Sequence, residues 1–260
     1  MSKIYAAFWS EFKKIQHANI LWITITGFIF IPVMMGLMMY IVRHPEISAK
    51  LGIIAAKASL FGAGDWTAFF GLLNQMMATA GFIGFGFITA WVFGREYTER
   101  TLKDLLALPV PRSYIVFSKF IVVLLWCLIL ALLLFITGIC TGKIASLPGW
   151  TTVILYHGIY RFSATTFLTI LLSTPVAFIA CYGRGFLAPL GLVIITMILS
   201  QFIAIAGLGA FFPWAIPGLY TTIEGPSGMQ LYTGSYILLI ITSGLGYWGT
   251  LTWWQKADQT

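Results

Sequence analysis

Residues 114–139 read YIVFSKFIVVLLWCLILALLLFITGI, and this run decides the fold. At about 1.5 Å of rise per residue it is long enough, as a helix, to cross a hydrocarbon core of roughly 30 Å. It has none of the strict apolar/polar alternation of a barrel strand, and a helix satisfies its own backbone polar groups in lipid. Its sole charge, Lys119, lies early enough to snorkel back to the nearer surface.

The whole chain has the same character. Of 260 residues, 59% are hydrophobic and 9% charged, and the mean hydropathy is +0.92, whereas soluble domains carry roughly 25% charged residues. An all-α integral membrane protein follows, as a single transmembrane domain over 1–260. The net charge of +7 comes from basic residues that flank apolar runs, where they orient spans; no nucleic-acid surface is indicated. Cys127, Cys140 and Cys181 lie in or beside apolar runs without metal or disulfide spacing and read as packing residues.

Working outward, six transmembrane helices are expected, at about 20–42, 68–93, 114–139, 153–182, 186–206 and 235–254. Residues 1–19 precede them as an interfacial helix, with Ile4, Phe8, Phe12 and Ile15 on one side and Lys3, Ser10, Lys13 and Lys14 elsewhere. In the second span, Ala80, Gly84, Gly86 and Ala90 admit close helix packing. The fourth carries Thr165, Thr166, Thr169, Ser173 and Thr174 before Pro175. Two readings stand for these hydroxyls: interhelical packing and backbone repair near the proline, or a polar substrate path through Thr165, Thr169 and Ser173 with Arg161 at its outer end. Residues 207–232 are too broken by Gly and Pro to span and too apolar for an ordinary loop, so a re-entrant or interfacial segment is expected between spans five and six.

An even number of spans puts both termini on one side, with the 94–112 stretch and the 183–185 turn. That side holds Lys3, Lys13, Lys14, Arg95, Arg100, Lys103, Arg112, Lys119, Arg184 and Lys256; the other holds Arg43, Lys50, Lys57, Lys143 and Arg161. The bias predicts cytoplasmic termini.

The stretch GREYTERTLKDLLALPVPR, 94–112, is the long polar segment with helical logic. Glu96–Arg100, Glu99–Lys103 and Arg100–Asp104 are opposite charges at i,i+4, and Leu102, Leu105 and Leu106 share a face. Pro109 ends the helix and Pro111 stiffens its exit. Periodicity alone leaves an ordinary solvated loop helix as an equal reading. The rest of the chain offers little chemistry of its own. No acidic residue is expected deep in a span for ion coupling, the histidines have no metal-ligand spacing, and Gly138–Lys143 fails as a phosphate loop because Ile144 stands where Ser or Thr is needed.

The residues from Arg95 to Arg112, with Lys119 beyond, resemble the first cytoplasmic loop of ABC-2 type transporter permeases, nearest the group of bacitracin export and lantibiotic immunity. Many relatives have Gly where this chain has Arg100. The resemblance implies an exporter in the bacterial cytoplasmic membrane, moving a peptide antibiotic or lipid-like amphiphile. It implies no cofactor in this chain, ATP and Mg in a separate pair of ABC ATPase subunits, and a second permease, identical or related, beside this one in the lipid. It assigns ATPase coupling to Glu96, Glu99, Thr101, Leu105, Leu106, Pro109 and Arg112. A non-transporting scaffold or sensor subunit and a secondary carrier remain the other readings.

Overall fold

Each long apolar run becomes a helix in the computed structural model, which describes residues 3–16, 18–44, 46, 64–102, 105, 110–222 and 231–256. In chain order these are α1 (Lys3–Gln16), α2 (Asn19–Arg43), α3 (Trp66–Met76), a π-helical turn (Met77–Gly81), α4 (Phe82–Thr98), α5 (Arg112–Ile144), α6 (Thr152–Leu171), α7 (Thr174–Tyr182), α8 (Leu187–Ile205), α9 (Ile216–Thr222) and α10 (Thr233–Lys256). No strand occurs among the described residues.

Among the described residues, five helical stretches are long and apolar enough to cross a membrane: Asn19–Arg43, Trp66–Thr98, Arg112–Ile144, Thr152–Tyr182 and Leu187–Ile205. The expected sixth, α10, has the length, but its Gly, Ser, Thr and Tyr residues dilute its hydropathy. Between α8 and α10 the chain forms two 3-10 turns, Gly209–Phe211 and Pro213–Ala215, and then short α9, which fits the Gly/Pro punctuation of the sequence.

α5 is the central post, packed against α1, α2, α4 and α10. The small residues of α4 accept knobs from two sides. A Cβ on Gly84 would lie 2.5 Å from the Phe28 ring, and one on Gly86 would lie 2.5 Å from Val193. The second span is therefore pinched between α2 and α8 by side chains entering its small positions.

The fourth span is broken where the proline demands it. Pro175 sits in the first turn of α7, Ser173 Oγ donates to the Ile170 carbonyl at 2.7 Å, and Thr174 Oγ1 donates to the Leu171 carbonyl at 2.9 Å and the Ser243 carbonyl of α10 at 2.8 Å. Hydroxyls thus re-satisfy carbonyls near the joint. Gly246 of α10 lies against it so closely that a Cβ would come within 2.5 Å of Pro175 N.

Four helix ends close alike, with an N–H bonding back five residues around one left-handed residue: Thr101 to Glu96, Leu147 to Gly142, Gly185 to Ala180 and Leu208 to Ile203. The left-handed residues are Arg100 (φ 57°), Ser146 (φ 53°), Arg184 (φ 49°) and Gly207 (φ 81°). This is Schellman closure, in which glycine is usual because a side chain at positive φ costs energy.

Candidate functional site

The 94–112 stretch is not one helix. Its first residues, through Thr98, are the last turn of α4, and the chain reverses at Arg100. Leu102 and Leu105 are helical beyond that reversal, with Leu105 N–H donating to the Thr101 carbonyl at 3.1 Å. The expected Glu96–Arg100 pair does not form, because a left-handed cap turns Arg100 away from the i,i+4 register. Arg95 and Glu99 form the i,i+4 pair instead, at 2.8 Å. The other two expected pairs involve Lys103 and Asp104, which lie outside the described residues, as do Leu106 and Pro109 of the assigned coupling set. Arg100, at φ 57°, occupies a position that favours glycine.

Glu96 turns inward. Lys119 is wholly buried, so it does not snorkel, and its ammonium donates to three oxygens: Glu96 Oε1 at 2.6 Å, Glu11 Oε2 at 2.9 Å and the Val92 carbonyl at 3.0 Å. Lys14 donates to Glu11 Oε1 at 2.7 Å and Glu96 Oε1 at 3.1 Å. Two carboxylates and two ammoniums thus form a closed, neutral cluster joining α1, α4 and α5. Glu96 is buried close to the end of its span and Glu11 lies in α1, outside the spans, so neither acid is deep in a membrane helix. Burial alone would raise the Glu11 carboxyl, but the ammoniums of Lys119 and Lys14 outweigh it and hold its pKa below the ordinary 4.5. Glu96 Oε2 is buried with no hydrogen-bond partner among the described residues.

Glu11 is the residue that the sequence reading missed. The available signal was weak: a single acid in a basic, aromatic helix, with the lone lysine of a long apolar run far along the chain.

Beside the cluster opens a cleft of about 380 Å³ lined by Ser10, Lys14, Arg95, Glu96, Glu99, Thr101 and Leu105. Glu96, Glu99, Thr101 and Leu105 of the assigned set therefore converge on one surface feature. Arg112 lies elsewhere. At the start of α5, it donates to the Trp254 carbonyl at 3.0 Å and the Gln255 carbonyl at 3.4 Å, capping the C-terminus of α10. Gly94 touches the 183–185 turn backbone to backbone, and a Cβ there would come within 2.7 Å of Gly185 C. One end of the bundle thus gathers α1, the head of 94–112, that turn and the end of α10.

Thr165, Thr169 and Ser173 are buried among helices, and Thr169 Oγ1 donates to the Thr165 carbonyl at 2.8 Å. Arg161 lies in the first half of α6, beside Tyr220.

The family model for ABC-2 family transporter proteins matches residues 7–200, which include the ionic cluster, the first four apolar helices and most of the fifth. The chain belongs to this family. It is 28% identical over 177 residues to the bacitracin transport permease protein BCRB of Bacillus licheniformis, a match covering 67% of this chain and 83% of that one. No solved structure matches. The protein is a multi-pass membrane permease subunit of an ABC transporter, a transport component that is not itself catalytic and whose family works with ATPase subunits.

Proposed function

We propose that this permease exports a peptide antibiotic or lipid-like amphiphile across the bacterial cytoplasmic membrane, driven by ATP that a separate ATPase pair would hydrolyse with Mg bound. It acts beside a second permease, a copy or a relative. Coupling enters through the stretch 94–112 at Glu96, Glu99, Thr101, Leu105, Leu106, Pro109 and Arg112. The observation that carries this reading is the buried cluster. A push on the head of 94–112 meets α1 and α5 through charge-assisted bonds inside a low-dielectric site, so force passes to the spans without slack.

α10 completes six spans, both termini are cytoplasmic, and 207–232 is the outer re-entrant segment. The gathering of Lys14, Arg95, Arg112, Lys119 and Arg184 at one end favours that orientation. The relative transports bacitracin by its name, which favours a peptide amphiphile as substrate. In the substrate path, Thr165, Thr169 and Ser173 face inward and Arg161 serves its outer mouth.

The test is reconstitution with an ATPase pair in lipid vesicles and measurement of bacitracin-stimulated ATP hydrolysis. Leu105→Asp should lower stimulation at least tenfold while the protein inserts and melts normally. Unchanged stimulation in that variant overturns the coupling role, and absence of any stimulation in the parent complex overturns the peptide assignment.

A further inference from the structure

A second cavity, of about 130 Å³, lies toward the end of the bundle away from the ionic cluster, where α3, α8 and the short turns after α8 meet. Its polar residues are Gln75, Thr79, Ser200, Gln201 and Trp214, and no charged residue lines it. Gln75 and Gln201 are exposed on helices that carry no charged residue. Primary amides facing hydrocarbon cost several kcal/mol, so this rim faces water or a ligand rather than lipid. The Trp214 indole N–H is buried without a hydrogen-bond partner among the described residues, and its ring is held against Phe212, 5.3 Å between centroids. The hydroxyls of Thr79 and Ser200 donate to the carbonyls of Gln75 at 2.9 Å and Met197 at 2.6 Å, which leaves their lone pairs as acceptors. Helix geometry is irregular on both sides, with the π-helical turn carrying Thr79 and the 3-10 turn carrying Trp214.

We infer that this cavity seats one uncharged amide group of the transported amphiphile. Trp214 donates to its carbonyl, the Thr79 and Ser200 oxygens accept from its N–H, and the Gln75 and Gln201 amides meet the adjoining polar atoms. A volume of about 130 Å³ has room for a single peptide group. The neutral lining excludes a charged headgroup, whose desolvation nothing here offsets. This inference rests on the peptide reading above and places recognition within one permease chain.

The experiment measures bacitracin binding to the full-length permease in lipid nanodiscs, together with the melting midpoint. Trp214→Phe, which keeps a ring and removes the donor, and Gln201→Leu should each weaken the Kd roughly three- to tenfold with the midpoint unchanged. An unchanged Kd in both variants overturns the inference and leaves the peptide reading standing. A lowered midpoint with unchanged Kd also overturns it, by showing that the cavity holds only structural water. If the parent chain binds no bacitracin, the peptide reading falls and this inference with it.

Discussion

At one end of the bundle, Glu11, Lys14, Glu96 and Lys119 close a buried ionic cluster across three helices. At the other end, Trp66 meets Trp150 edge-on at 4.5 Å, packs with Phe69 and Phe70, and Lys143 lies 5.2 Å over the Trp150 ring. Arg43 there donates to backbone, the Ala145 and Ser146 carbonyls. Aromatic contacts are many, individually weak and tolerant of small shifts. The ionic cluster is different in kind, because losing one member strands the others without water. One end can therefore adjust by degrees, whereas the other keeps its arrangement or loses it.

The sharpest way to break that comparison is Lys119→Met. Two carboxylates would then share a buried site with Lys14 alone, and the cost should be about 3–5 kcal/mol of stability, read as a fall in the melting midpoint of the solubilised permease. A loss under 1 kcal/mol would show that the cluster is solvated and not a rigid joint. At the aromatic end, Trp66→Ala removes a side chain that is 2% exposed. Its expected cost is about 2–3 kcal/mol, at the low end for a buried aromatic because lipid can replace part of the lost contact; chemical protection of nearby residues should loosen at that end alone. Acid gives the smallest and most selective effect. The Glu11 pKa is depressed, so its contribution to stability is fully present above the unfolded value and is lost as pH falls through the folded one. Melting curves should hold steady down to about pH 4.5 and decline below it, with Glu11→Gln removing that decline and Trp66→Ala leaving it in place.

What the sequence made legible and what it concealed divide along a physical line. The apolar runs gave the helices almost residue for residue, since length and hydropathy are local properties; the run read as 153–182 became Thr152–Tyr182, broken at Pro175. The reversal at Arg100 was hidden because its residue contradicts the glycine preference of a left-handed cap, and the three apparent i,i+4 pairs argued for continuing the helix. The cluster was hidden because its bonds join residues 23, 82 and 108 positions apart, and no periodicity encodes such pairings. Lys119 read as a snorkelling lysine for the same reason: its partners lie on other helices. The expectation that 94–112 carries function placed Glu99, Thr101 and Leu105 on the same cleft as Glu96, yet Arg112 proved to cap a helix arriving from the other end of the chain.

The contact between Gly94 and Gly185 has a mechanical meaning. Side chains that meet can rotate, and each free torsion absorbs part of a displacement before passing it on. Here main chain rests on main chain, with no torsion in between. The end of α4 and the turn leading into α8 therefore behave as a fulcrum and its bearing, and tilting one must carry the other with it. A single added methyl at Gly94 would pry this hinge apart and uncouple two spans that are distant in sequence.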